Sequence, residues 1–400
     1  MVGSEMPKGW DIQPLKEVVT STKGKKPKQL SELPFDNSIP YIDIKALEKD
    51  LIEQYADVES SKSFSPNDIA VVWDGARCGW VSKSKEGAIG STICALTPKN
   101  NIESNYLYYF LLEKYPIVNS KGRGVGIPHV DPTFFWDMEV PIPSPKEQKQ
   151  IAEKLDKLFD QIETIKEASN KIPELLKNFR QQVLTYAVTG KLTNSDFAHW
   201  EKSTIGAIGK VKGGKRLPKG EELVNYNTGY PYIRARDLKE GTVLKQNIMY
   251  LLPETQEKIK NYIVKTNDVY ITIVGAKIGD AGIIPESMNN ANLTENAAKI
   301  TDLSEKIMPQ YLSLWLQAPL CQSEIQQSIK SAAQGKLALT RINSLSVCFP
   351  PIESQKEIID KVEYLLGELK IIESKFYLLQ DILEKLPQAL LRKAFKGELL

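Results

Sequence analysis

Apolar and polar positions along this chain follow two different rhythms. Between Glu147 and Leu192, the positions Gln148, Ile151, Leu155, Leu158, Ile162, Ile165, Ile172 and Phe179 step by threes and fours or by sevens. That is a heptad seam, sustained over about six heptads. The stretch from Ser354 to Leu399 repeats it without a gap, through Gln355, Ile358, Val362, Leu365, Leu369, Ile372, Leu379 and Leu386. Each stretch predicts a helix of about forty residues, ~65 Å long at ~1.5 Å per residue. A short stripe of this kind would be core packing. A long seam instead needs a long partner, and each helix is the natural partner of the other, as an antiparallel intramolecular coiled coil. Pro173 and Pro387 stand at non-equivalent places, and each predicts a kink or a restart.

Elsewhere the rhythm is that of strands and turns. Short β-branched and aromatic runs, Ile69 to Trp73 and Val269 to Val274, are bounded by Gly, Pro, Asn and Asp. Helical patterns interrupt them at Tyr106 to Lys114 and Tyr311 to Gln317. These parts repeat as well. Trp10, Leu15 and Val18 return as Trp200, Ile205 and Ile208, and Pro40-Tyr41-Ile42 returns as Pro231-Tyr232-Ile233. Asp68, Gly75, Ala76, Arg77 and Gly79 answer to Asp268, Gly275, Ala276, Lys277 and Gly279. A repeat of this span fixes the architecture before any local motif does. The fold class is α+β: two similar globular domains, residues 1–146 and 199–353, alternate with two helical segments, 147–192 and 354–400, in a pseudo-twofold internal repeat.

Composition adds exclusions. In 400 residues, 52 basic and 50 acidic side chains leave a net charge of +2, so any nucleic-acid site must be local rather than a bulk polycation. The apolar runs are short and broken by charge, which predicts no membrane span and no signal peptide. Cys78, Cys94, Cys321 and Cys348 stand far apart without a Cys-x-x-Cys, and His129 and His199 are the only histidines. Neither a zinc site nor a disulfide framework is expected, and the default compartment is a reducing cytoplasm.

Several motifs look catalytic and fail on chemistry. Gly209 to Arg216 nearly matches a phosphate-binding loop, but Arg216 replaces the Ser or Thr that would hold magnesium, and Pro218 blocks the helix that should follow. Gly122-Arg123-Gly124-Val125-Gly126 suggests a dinucleotide loop, yet Pro128 and Pro132 forbid its helix. The chain lacks the Asn/Asp-Pro-Pro-aromatic tetrapeptide of an amino-directed DNA methyltransferase and has no convincing nuclease carboxylate cluster. His129, in a loop after Pro128, reads as a polar or DNA-facing residue rather than a general base. No catalytic residue, metal site or cofactor is expected in this chain.

The local charge is more informative. Residues 20–30 and 210–219 are basic without an acid in both copies, as suits phosphate contacts that set register on a duplex, or plain solvated turns. Candidate DNA contacts there are Lys25, Lys26, Lys215 and Arg216. Arg77 and Lys277 share the repeated Gly-Ala-basic-x-Gly turn, where Trp80 in the first copy faces Asp280 in the second. Arg234 and Arg236 stand where the first copy has Asp43 and Lys45, a further divergence. Arg123 and Lys336, in glycine-containing loops ahead of the long helices, complete the set. Different side chains on matching scaffolds suit two domains that read different base sequences.

With those residues in view, the whole chain resembles the specificity subunits of type I restriction-modification systems, the HsdS family. The segments Val140 to Gln148 and Val347 to Gln355 open the two heptad helices as in that family. The ends Ala187 to Leu192 and Ala394 to Leu399, the opening Pro7-Lys8-Gly9-Trp10, and the Gly75 and Gly275 turns fit as well. Ser354 departs from the usual Glu-Gln pair. The resemblance implies two target recognition domains that bind an asymmetric bipartite site on double-stranded DNA, with the helices as spacer and docking surface. It further implies two methyltransferase subunits and restriction subunits as partners, with S-adenosylmethionine, ATP and magnesium held by those partners. Other readings are a stand-alone bipartite DNA-binding regulator and a coiled-coil scaffold whose ends bind protein.

Overall fold

A computed structural model describes residues 9–83, 86–99, 101–124, 126–193, 196–330 and 335–400. The chain divides into two compact units, Met1–Asn170 with Tyr377–Leu400, and Lys171–Phe376. These units cut across the sequence segments. Each gathers one globular segment together with parts of both helical segments.

In the first unit a four-stranded antiparallel sheet runs in the order Val19–Lys23, Ile93–Pro98, Ile69–Val72, Val81–Lys83. The central strand Ile69–Val72 is buried on both faces, which explains its unbroken apolar run. Alternate residues leave the strand on opposite sides. Ile69 and Val71, with Cys94 and Leu96, join a core shared with the Ser104–Ser120 helix, while Ala70, Ile93 and Ala95 join a smaller core with Ile42, Phe64 and Ile89. That smaller core belongs to a second, five-stranded sheet in which Ser38–Ile42 and Gly87–Ile89 run parallel.

The second unit repeats this plan. Its four-stranded sheet runs Lys210–Gly213, Ala297–Thr301, Val269–Thr272, Ala281–Ile283. Val269 and Ile271 again point into the helix-covered core, and Tyr270 points into the smaller one. Here too one strand pair is parallel, Tyr232 beside Asn292. Thus the pseudo-twofold repeat of the sequence is a repeat of sheet order and of core sidedness.

The prolines of the two helical segments act differently. The second is a single helix, Ile352–Ala394, that carries Pro387 inside it. The first breaks into Pro145–Ser169 and Ile172–Val188. The break lies just ahead of Pro173, whose ring and missing N–H are tolerated in a first turn but not in a helix interior. Ser144 caps the start, exchanging hydrogen bonds with Glu147 in a capping box. Each unit holds one antiparallel helix pair. In the first unit Lys154 Nζ donates to the Leu399 carbonyl at 2.6 Å and Gln380 Nε2 donates to Ser169 Oγ at 3.0 Å. In the second unit Val183, Leu184, Ala187 and Val188 share a core with Ile358, Ile359 and Val362.

Of the predicted seam, Ile151, Leu155, Ile162, Ile358, Val362 and Leu369 are buried, and Leu158 and Leu365 are partly so. Ile165 and Ile372 are not seam residues: they are 44% and 51% exposed. They occupy equivalent places in the two helices. Beyond Ile162 and Leu369, burial continues one heptad on, at Ser169 and, partly, Phe376, and the position between drops out. Among the described residues no helix is long and apolar enough to cross a membrane. The four cysteines are free and buried, and desolvation pushes the Cys94 thiol up to about 11.

Candidate nucleic-acid interface

The glycine turns are built identically in the two units. In the first, Gly79 N donates to Val72 O at 2.7 Å, Val72 N to Trp80 O at 2.8 Å, and Trp80 N to Arg77 O at 2.9 Å. In the second, Gly279 N donates to Thr272 O at 2.9 Å, Thr272 N to Asp280 O at 2.8 Å, and Asp280 N to Lys277 O at 3.0 Å. Gly75, Gly79, Gly275 and Gly279 have φ of +113°, +88°, +107° and +96°, a region that disfavours any side chain. A carboxamide from the covering helix steadies each turn. Asn119 Nδ2 donates to the Cys78 carbonyl at 2.9 Å, and Gln322 Nε2 donates to the Gly279 carbonyl at 2.9 Å. These two clamps carry no motif in the sequence and were invisible there.

What the matched turns present is different. Arg77 is exposed and pairs with Glu48, with Trp80 half-buried beside it. Lys277 lies 3.9 Å from Asp280. Burial raises the Asp280 carboxyl above its usual range, and Lys277 counters only part of that.

The basic loops are pinned just as closely. Gly24 N donates to Ile93 O at 2.9 Å and Gly214 N to Ala297 O at 3.0 Å. A Cβ at Gly24 would lie 2.1 Å from the Gly90 carbonyl oxygen, and one at Gly214 would lie 2.0 Å from that of Thr294. Beyond these anchors Lys25 and Lys26 are exposed and have no ion-pair partner among the described residues. Lys215 sits over the Tyr262 ring at 5.3 Å, and Arg216, 80% exposed, bonds Glu295 at 2.8 Å. The Gly214 and Lys215 amides are spent on sheet carbonyls, so the phosphate-loop look-alike offers them to no nucleotide.

In the first unit the two loops meet. Lys23 Nζ reaches Asp74 Oδ2 at 2.9 Å and lies 5.3 Å over the Trp73 ring. The other Asp74 oxygen takes His129 Nδ1 at 2.7 Å. Burial acts to raise the Asp74 carboxyl, and the bonds from Lys23 and His129 outweigh it, holding the group below its usual range. Arg123 exchanges backbone bonds with His129 and pairs with Asp131 at 2.6 Å. Lys336 is exposed, directly before Leu337, whose N–H donates to Ile273 O at 3.0 Å.

Arg234 has a different task from the one expected. Its side chain is 16% exposed, its guanidinium grips both Asp237 oxygens at 2.8 and 2.9 Å, and it also donates to the Asn247 carbonyl. With Nε and Nη2 spent on a buried carboxylate and a backbone carbonyl, this guanidinium holds a turn rather than standing free as a fork for a base. Arg236 stays exposed, on a hollow of about 610 Å³ that also includes Lys239, Gln246 and Asn247. Pro7, Lys8 and Val125 lie outside the described residues.

The two units thus repeat one α+β plan in which the basic loops sit on matched backbone frames. Residues 7–174 and 198–377 both match the type I restriction modification DNA specificity domain, and the chain belongs to that family of specificity subunits. It is 30% identical to the type I restriction enzyme EcoBI specificity subunit of Escherichia coli over 361 residues, covering 84% of this chain and 74% of that one. Its fold is shared by a chain from a structural study of complex assembly and conformational transition of the type I R-M system, at a TM-score of 0.74, 16% identity and 98% and 99% coverage. The HsdS subunit from Thermoanaerobacter tengcongensis shares it at 0.69, with 16% identity and 98% of both chains covered.

Proposed function

We propose that this chain is the non-catalytic DNA-reading subunit of a type I restriction-modification complex. It binds an asymmetric, bipartite duplex site, one half-site per recognition domain, and directs partner subunits that methylate adenine and cleave. The observation that carries this reading is the pair of turns with one hydrogen-bond pattern and different tips, Arg77 and Trp80 against Lys277 and Asp280. A common frame fixes where a side chain stands on the duplex, and the changed side chain sets which base it accepts.

Partner docking is supported by the long helix. Tyr364, Ile371 and Leu378 recur every seven residues on Ile352–Ala394 and are 69%, 49% and 60% exposed. An apolar row left outside the seam suits a protein surface, here two methyltransferase subunits, and favours this reading over a stand-alone regulator. S-adenosylmethionine, ATP and magnesium belong to the methyltransferase and restriction partners, and the complex works in the cytoplasm. The test is a map of modified adenines in host DNA with and without this gene. A two-block motif that vanishes with the gene is expected, and an unchanged map overturns the proposal. Retrieval of a two-block DNA site without any methyltransferase would favour the regulator.

A further inference from the structure

Hydrogen-bond equivalence between the units identifies a position that sequence alignment does not. Val130 N donates to the Trp73 carbonyl at 2.9 Å, and Leu337 N donates to the Ile273 carbonyl at 3.0 Å. Trp73 and Ile273 follow directly on the equivalent central strands. His129 in the first unit and Lys336 in the second are therefore the same structural position, each one residue before the bond that ties its loop to the end of that strand. His129 stands beside the glycine turn, whose Gly75 N–H donates to the Pro128 carbonyl at 2.8 Å, and both side chains are exposed, His129 by 49%.

The two differ in what they can recognise. His129 donates Nδ1–H to Asp74 at 2.7 Å, and Asp74 is itself held by Lys23 at 2.9 Å. A carboxylate on one ring nitrogen fixes the tautomer and the ring plane, which leaves Nε2 of the neutral ring as an acceptor. Nε2 has no hydrogen-bond partner among the described residues. The second unit has Val274 in place of Asp74, so it lacks that carboxylate at the matching position, and Lys336 carries an ammonium that can only donate.

Resting on the DNA-reading function above, we infer that His129 and Lys336 are paired base-reading positions of opposite polarity. An oriented imidazole acceptor suits the amino group that adenine or cytosine presents in the major groove, and a lysine donor suits guanine O6 and N7. The two half-sites therefore differ at corresponding base pairs for a reason built into the loops. Asp74 is a positioning residue: it touches the ring rather than the base.

The experiment is selection of bound duplexes from a randomised library by the full chain assembled with its methyltransferase. His129→Ala is expected to relax one base pair of one half-site by about fivefold, the lower end for a base-edge contact, and to leave the other half-site untouched. Lys336→Ala should relax the corresponding base pair of the other half-site. Asp74→Asn, which keeps the shape and weakens the hold on the ring, should blur the same base pair as His129→Ala. A merely structural role would lower affinity for both blocks without changing any base preference. Unfolding curves for each variant identify loss through misfolding, and His129→Gln then serves as the milder substitution. A wild-type motif retained unchanged by His129→Ala and His129→Gln overturns this inference alone. Failure of the wild-type assembly to select any motif overturns the DNA-reading function and this inference with it.

Discussion

The side-chain oxygen of Gln355 accepts a 2.8 Å hydrogen bond from the backbone N–H of Met308, deep inside the second unit. The same carboxamide donates to the Lys306 and Pro350 carbonyls, both at 2.8 Å, and Gln355 is fully buried. In the first unit Gln148 does the same for Glu103 N at 2.9 Å, Pro143 O at 3.0 Å and Asn101 O at 3.1 Å. One buried glutamine thus ties the start of each long helix to its globular segment. Gln355→Ala strands one buried and two partly buried backbone groups and should cost about 2 to 4 kcal/mol. Chemical denaturation of the full chain measures it. A loss within experimental error would mean that water or local rearrangement replaces the carboxamide.

Gly24 and Gly214 make the next prediction. An added methyl at either position would sit about 2 Å from a backbone carbonyl oxygen, with no flexible side chain to give way. Gly24→Ala and Gly214→Ala should each destabilise the chain by at least the ~1 to 3 kcal/mol of ordinary overpacking and displace the basic loop that follows. Gly220→Ala is the comparison: its φ of +86° is also unfavourable, but no atom lies within 4 Å of the new methyl. Thermal unfolding should rank Gly220→Ala as the mildest of the three.

Acid titration probes the Asp74 cluster. The folded state holds this carboxyl below its ordinary value, so the unfolded chain takes up the proton first as pH falls. The stabilisation is fully present above the ordinary carboxylate range near 4 and fades as pH drops through the lower folded value. Asp74→Asn should therefore lose stability at pH 7 and show a flatter decline between about pH 5 and 2. An acid limb as steep as that of the wild type would show that Lys23 and His129 contribute no net stabilisation to the ionised form.

Much of this was legible in the sequence because repetition supplied a second reading of every element. The strands Ile69–Val72 and Val269–Thr272, the helix starts and the glycine turns each appear twice in alignable form. The break ahead of Pro173 was one of the two outcomes its position predicts. The exposure of Ile165 and Ile372 was not legible, because a heptad pattern marks residues able to join a seam and cannot say where the seam narrows. Arg234 misled for a similar reason. An arginine that replaces an aspartate looks like a new contact for DNA, and only the fold brings Asp237 and the Asn247 carbonyl around its guanidinium. The equivalence of His129 and Lys336 was hidden because the loops before them share no sequence, and backbone hydrogen bonds alone reveal it.

The contrast between Arg216 and Arg234 yields a last prediction. Arg216 holds Glu295 in an exposed ion pair, which is worth little and is readily exchanged for a phosphate. Lys215 beside it sits over the Tyr262 ring, with no ion-pair partner among the described residues. If both meet the DNA backbone, Lys215→Ala with Arg216→Ala removes two counterion-releasing contacts. The slope of log affinity against log salt should then become shallower by about 1.8, with base preference unchanged. Arg234→Ala should behave in the opposite way. It leaves Asp237 buried without its partner, which costs about 3 to 5 kcal/mol of stability, while the salt slope of the surviving folded protein stays as in the wild type. Binding isotherms of the assembled complex at several salt concentrations, read beside unfolding curves, separate the two arginines. A shallower slope for Arg234→Ala would return that residue to the interface, and an unchanged slope for the double variant would remove Lys215 and Arg216 from it.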